Sequence, residues 1–175
     1  MPDCRSYRRK NMKKIGIVMG SDSDLNVAKK AVDICEEFGV PYEVHVYSAH
    51  RTPEEARDFT VDAEKNGFGA IIALAGMAAH LAGAIAANTT LPVVGVPVSS
   101  NNLDGMDALL STVMMPTGIP VATVAINGAA NAALLCIEML ALSDEELAGK
   151  LKARRKKDHE KVLEKNARIE AEFNR

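Results

Sequence analysis

Histidine, arginine, serine and aspartate gather in three short stretches of this chain, each just after an aliphatic run. The first stretch is Gly20-Ser21-Asp22-Ser23-Asp24. A glycine there lets the backbone turn tightly, and serine hydroxyls with free N–H groups at a helix start can hold a phosphate. Asp24 could accept hydrogen bonds from ribose hydroxyls. The plainer alternative is that Asp22, Ser23 or Asp24 only caps the following helix. The stretch is no Walker motif and has no G-x-G-x-x-G, which speaks against ATP and NAD.

The second stretch is Ser48-Ala49-His50-Arg51-Thr52. Histidine exchanges protons near neutral pH, and a neighbouring arginine offers a fixed charge for phosphate or carboxylate. The third is Ala75-Gly76-Met77-Ala78-Ala79-His80-Leu81. Its small side chains leave room for a ligand and expose backbone N–H groups. His80 is either a ligand contact or a satisfied structural histidine. His45 lies inside a strand pattern and His159 in a charged helix, so both are weaker candidates. The cysteines and histidines have no zinc-site spacing. A fourth segment, 114–120 (MMPTGIP), could form a pocket wall or simply pack its methionines in the core. Asn131, near a helix start, is a cap or a ligand contact.

These loops need a frame, and the pattern supplies one. KIGIVM (Lys14–Met19), YEVHVY (42–47), AIIALA (70–75), LPVVGV (91–96) and IPVATVAI (119–126) read as strands. Pro92 and Gly95 suggest that the fourth is an edge or irregular strand. Helical patterns lie between them over 25–38, 53–66, 78–88 and 106–113, then over 129–142. Gly39 ends the first. Thr52, Pro53 and Glu55 form a helix start with a capping box. Ser143 and Glu146 form a second box, opening a charged helix to about residue 173. Alternating strands and helices predict a parallel sheet covered on both faces: a three-layer, doubly wound α/β fold of flavodoxin-like or Rossmann-like type. In such sheets ligands bind beyond the carboxyl ends of the strands, where the three loops converge. The organisation expected is a disordered leader over 1–12, an α/β domain over 13–142 and a helical arm over 143–175. The arm's apolar positions are sparse, so it packs on a neighbouring subunit or stands solvated with a frayed end.

Composition narrows the function. With 47% hydrophobic residues but only 4% aromatic and no Trp, the chain has little to stack on nucleic-acid bases. A formal net charge of -2 gives no basic field for nucleic acid. No apolar run reaches membrane-span length without a break. Three scattered cysteines, Cys4, Cys35 and Cys136, read as reduced thiols of a cytoplasmic protein.

The ordered set MGSDSD, SAHRTPEEA, AGMAAHLAG, LPVVGVPV, MMPTGIPVATVAI and ANAALL resembles the N5-carboxyaminoimidazole ribonucleotide mutase family, the bacterial class I aminoimidazole ribonucleotide carboxylases. The resemblance covers roughly residues 15–142. It implies a flavodoxin-like homo-octamer whose C-terminal arm reaches a neighbouring subunit. It implies conversion of N5-carboxyaminoimidazole ribonucleotide to 4-carboxy-5-aminoimidazole ribonucleotide in purine biosynthesis, through enzyme-held CO2 and with neither cofactor nor metal. His50 then falls at the general acid/base position. Ser21, Asp24 and Arg51 fall at substrate-binding positions, with Ser23 on the phosphate and Asp24 on the ribose. Ser48, Ala75, Gly76, Ala78, His80 and Leu81 complete the substrate-binding set. Two positions depart from the family pattern: Met77 stands where a second Gly is usual, and Ala82 where Pro is usual. The segment 126–129 is also shorter than the usual glycine-rich stretch.

Two alternatives have their own signatures. A class II carboxylase, using free CO2 on aminoimidazole ribonucleotide, would carry a Ser-Asn-type sequence in place of the His80 motif. A non-catalytic flavodoxin-like module would need the serine loop and Arg51 but would have no use for His50.

Overall fold

The computed structural model describes residues 12–174, so the expected leader, apart from Met12, and Cys4 lie outside the described residues. Five parallel strands form one sheet in the order β2-β1-β3-β4-β5. They are β1 (Lys14–Met19), β2 (Tyr42–Val46), β3 (Phe68–Gly76), β4 (Val93–Val98) and β5 (Ala122–Thr123). The helices are α1 (Leu25–Phe38), α2 (Pro53–Asp62), α3 (Leu81–Ala86), α4 (Met106–Val113), α5 (Ala129–Ala141) and α6 (Glu145–Phe173). A single 3-10 turn, Asp22–Asp24, joins β1 to α1. The sheet is the expected flavodoxin-like one.

Burial explains the strand sequences. β1, β3 and β4 lie inside the sheet with helices over both faces, so unbroken aliphatic runs suit them. Ile17 sits opposite Val44 on one side and Ile72 on the other, and all three inner strands are buried over most of their length. One face is covered by α2 and α3: Val18, Ile71, Ala73 and Val93 pack with Ala63, Leu81, Ala82 and Ile85. α1 runs from β1 to β2, in the lateral direction opposite to the later crossovers, so right-handed connections place it on the other face. Its buried stripe is Ala28, Ala31, Ile34, Cys35 and Phe38, and Gly39 ends it in the left-handed region at φ 70. Cys35 and Cys136 are free and buried, and burial pushes the Cys35 thiol up to about 12.

β4 corrects the edge expectation. It is an interior strand, paired with β3 over six positions and with β5 over two. Gly95 is there for close packing: a Cβ at that position would come within 2.4 Å of Thr112 Cγ2 on α4. β5 is far shorter than the eight residues expected, pairing only Ala122–Thr123 with Val94–Gly95. α3 is six residues rather than eleven, because 77–80 stays in tight turns, and α2 ends at Asp62 rather than near Asn66. Neither expected capping box forms as read. Thr52 occupies the N-cap of α2 but turns its hydroxyl back to Ser48, accepting from Ser48 N at 2.8 Å. At α6 the cap is Asp144, one residue beyond Ser143, accepting from the backbone N–H groups of Glu146 and Leu147 at 3.0 and 3.1 Å.

The chain divides into two compact units, up to Leu140 and from Ala141 onward. The second unit is dominated by α6, 29 residues long and laced with ion pairs such as Glu146–Lys150 at 3.5 Å and Arg154–Asp158 at 3.2 Å. Val162, Leu163, Ile169 and Phe173 are exposed on it. Among the described residues no helix is long and apolar enough to cross a membrane.

Candidate active site

In this strand order the connection from β1 leaves toward β2 and that from β3 leaves toward β4. A crevice therefore opens between the carboxyl ends of β1 and β3. A cavity of about 700 Å³ occupies it. All eleven candidate residues line it: Ser21, Ser23, Asp24, Ser48, His50, Arg51, Ala75, Gly76, Ala78, His80 and Leu81.

Each loop is held in a way its sequence explains. After β1, Gly20 N–H still bonds Leu74 O at 3.0 Å, so the first loop starts in register with β3. Ser21 caps the 3-10 turn, its hydroxyl accepting from Ser23 N at 3.3 Å. Ser23 Oγ donates to Asp24 at 3.1 Å. Asp24 is buried at the cavity wall. Burial pushes its carboxyl above the ordinary range, the Ser23 hydrogen bond pulls it back, and the charge of Asp22 adds to the rise.

The second loop is a self-closed turn. Thr52 N–H bonds Ser48 O at 2.9 Å, and Arg51 N–H bonds Ser48 Oγ at 3.3 Å. His50 is left exposed at the tip. Arg51 reaches across to the first loop, donating through Nη2 to the Gly20 carbonyl at 3.1 Å. Two loops from different strands are thus tied together, and Arg51 lines the same cavity as Ser21 and Ser23.

The third loop is wound by two short turns, Ala79 N–H to Met77 O and His80 N–H to Ala78 O, both at 2.8 Å. Buried Ala79 and Leu81 anchor it on either side of His80, which is exposed. The His50 and His80 rings come to 5.3 Å centroid to centroid, at 34°. Met77 sits in the left-handed region at φ 55 and lines the cavity. A glycine takes that conformation without strain, which gives a physical reason for the glycine usual at this position.

Residue-pattern reasoning missed one wall. Ser99, Ser100 and Asn101, after β4, also line the cavity. The signal was a polar triplet directly after VPV, with two residues between it and the end expected for the fourth strand at Val96. Two other candidates lie outside this cavity. No residue of 114–120 lines this cavity. Gly118, Ile119 and Pro120 instead line a second cavity, of about 900 Å³, with Thr89, Leu91 and Pro92 near the amino ends of the strands. Met115 packs toward Gly83, and Met114 is exposed. Asn131 stands in the first turn of α5, is exposed, and does not line the cavity either.

The arrangement suits an anionic, ribose-bearing ligand beside two imidazoles. Comparison with known proteins points the same way. The AIR carboxylase family model matches residues 14–161. The N5-carboxyaminoimidazole ribonucleotide mutase of Pyrococcus horikoshii is 56% identical over 156 residues, covering 89% of this chain and 88% of that protein. The mutase of Thermotoga maritima is 50% identical over 159 residues, covering 91% and 93%. A crystal structure of PurE from Treponema denticola matches with a TM-score of 0.82 at 28% identity, over 93% of this chain and 99% of that one. With the family model spanning most of the chain and the relatives aligned almost end to end, this chain belongs to the AIR carboxylase family.

Proposed function

We infer that the protein is an N5-carboxyaminoimidazole ribonucleotide mutase of purine biosynthesis. The observation that carries this reading is the placement of His50 and His80 across one cavity, next to Arg51 and the serine loop, in a chain more than half identical to a mutase along most of its length.

The phosphoribosyl end of the substrate lies against the β1 and β2 loops. Ser21, Ser23 and Arg51 hold the phosphate, and Asp24 meets the ribose. The imidazole and carboxylate lie toward the β3 loop, against the backbone of Ala75, Gly76 and Ala78 and against His80, with Ser48 and Leu81 completing the wall. His50, as an imidazolium, gives a proton to the exocyclic nitrogen as the N–C bond of the carbamate breaks. CO2 and aminoimidazole ribonucleotide then share the closed site. Ring carbon C4 attacks CO2, forming the new C–C bond, and the now neutral His50 removes the C4 proton. The histidine ends as it began, and no proton is gained or lost overall. Positioning and proton transfer supply the catalysis.

The assembly expected is a homo-octamer. The exposed apolar side chains of α6 support the reading that this helix packs on another copy. A solution mass equal to one 18.7 kDa chain would refute the octamer. The test of the activity is a coupled assay comparing the N5-carboxy substrate with aminoimidazole ribonucleotide plus bicarbonate. Turnover of the first at low bicarbonate is the result expected. Turnover of the second alone would assign the class II reaction instead.

A further inference from the structure

We propose that Ser100 is a further substrate-contacting residue that hydrogen-bonds the migrating carboxylate, and that Asn127 is its positioning residue. The proposal rests on the mutase reading above.

Three buried side-chain oxygens lack a hydrogen-bond partner among the described residues: Ser100 Oγ, Asp107 Oδ1 and Thr123 Oγ1. Of these residues only Ser100 lines the cavity between the loops. A buried hydroxyl without a partner is unfavourable until something supplies one. Because Ser100 lines the cavity, a bound ligand can supply that partner. The hydroxyl donates, and the neighbouring walls tell what it donates to. Ser100 follows β4, which lies beside β3 and away from β1 and β2. The phosphate-binding groups belong to the β1 and β2 loops, so the β4 loop faces the other end of the ligand, where the carboxyl group moves between N5 and C4.

The segment is held in place by a residue distant in sequence. Asn127 accepts from Ser99 N–H at 3.0 Å and donates through Nδ2 to Ser99 Oγ at 2.8 Å. Its own N–H bonds the Pro97 carbonyl at 2.8 Å. Asn127 is in the left-handed region, at φ 58, which an asparagine tolerates better than most residues. The two side-chain bonds grip the residue just before Ser100, and the backbone bond grips the end of β4. Gly105 closes the far end of the loop, where a Cβ would come within 3.0 Å of the Ser99 Cα. Ser100 therefore sits on a clamped segment rather than a free loop.

The test compares wild type, Ser100→Ala, Ser100→Thr and Asn127→Gly. Two quantities are measured: kcat/KM with the N5-carboxy substrate, and affinity for aminoimidazole ribonucleotide, which lacks the carboxyl group. Losing a hydrogen bond to a charged group should lower kcat/KM of Ser100→Ala by about tenfold or more. Affinity for the carboxyl-free ribonucleotide should stay as in wild type, and Ser100→Thr, which keeps the hydroxyl, should retain most activity. Asn127→Gly leaves the backbone at ease at φ 58 and removes only the clamp, so it should show the same selective loss. Asn127→Asp, which can still bond both groups of Ser99, should restore activity. Unchanged kcat/KM in Ser100→Ala, or equal losses toward both ligands, would overturn the proposal. If Ser100→Ala does not fold, Asn127→Gly against Asn127→Asp decides by the same criteria. Wild-type protein that fails to turn over the N5-carboxy substrate would instead sink the mutase reading. An active wild type with an unaffected Ser100→Ala sinks this proposal alone.

Discussion

Replacing His50 by Asn removes a titratable group and little else. The imidazole is exposed, and the bonds that shape its loop run between Ser48, Arg51 and Thr52 without using it. A surface change of this kind alters stability by less than about 0.5 kcal/mol. Asn is polar and of similar reach, so ribonucleotide should still bind. It cannot carry a proton from C4 to the exocyclic nitrogen. General acid–base catalysis contributes about 10²–10⁴-fold, or about 2.7–5.4 kcal/mol at 1.36 kcal/mol per decade. In the mechanism inferred above the same side chain serves both proton transfers, so the loss should lie toward the upper end. The assay is kcat with the N5-carboxy substrate, beside calorimetric binding of the 4-carboxy product and a thermal melt. The expected pattern is a collapse of kcat with affinity and Tm preserved. A variant with wild-type kcat would refute the role given to His50. A variant whose loss is wholly a loss of affinity would reduce that role to ligand binding, and His80, 5.3 Å away between ring centroids, would become the group to test next.

Gly95→Ala would drive a methyl to within 2.4 Å of Thr112 Cγ2 and 3.0 Å of Val121 Cγ1. It should cost about 1–3 kcal/mol and lower Tm by several degrees, and an unchanged melt would show that α4 yields freely. Met77→Gly relieves a left-handed backbone worth about 1–2 kcal/mol, partly offset by about 0.5–1 kcal/mol of unfolded-chain entropy. Its Tm should rise slightly, and a fall would mean that the methionine side chain stabilises the loop more than its backbone strains it. For Asp24 the sign follows from its raised pKa. The group favours folding while protonated, and that contribution is lost as pH climbs from the ordinary carboxylate value through the raised one. Asp24→Asn should therefore have a higher urea midpoint than wild type near neutrality, with the gap closing in acid, while ribonucleotide affinity falls. A gap that is the same at both pH values would assign the effect to something other than ionisation.

The site was legible because its chemistry sits in local strings. GSDSD, SAHRT and the Gly76–His80 turn each follow an aliphatic strand, and a parallel sheet brings such loops to one end whatever the details of packing. The errors arose where a residue answers to distant neighbours. Pro92 and Gly95 look like the marks of an irregular edge, yet Gly95 is small because α4 and α3 lie against it. The strand expected over 91–96 is also displaced by two residues from Val93–Val98, so Ser99, Ser100 and Asn101 stood away from its expected end. The partner of Ser99, Asn127, is 28 residues away, and nothing local marks it. The 119–126 run has the composition of a strand, but β5 pairs on one side only, with β4, and its regular pairing is confined to two positions. Thr52 and Ser143 fit a capping pattern, but a hydroxyl can choose among nearby partners, and composition cannot rank them.

β2 is the outermost strand on its side of the sheet, with Val44 and Val46 open to solvent, and the loop bearing His50 is its direct continuation. Edge strands open more readily than the core behind them. In the mechanism inferred above, the proton-transfer group is thus mounted on an edge strand, while the wall assigned to the carboxylate rests on β3 and β4 in the interior. Fraying of β2 would remove His50 and Arg51 together and leave the rest of the sheet intact. With His50 as the proton-transfer group, the fraction of molecules able to react would then depend on a local opening equilibrium of β2. Amide exchange along Tyr42–Val46 would report on that equilibrium more directly than any measure of global unfolding, and a contact laid along this strand by a neighbouring subunit would regulate activity without touching the cavity.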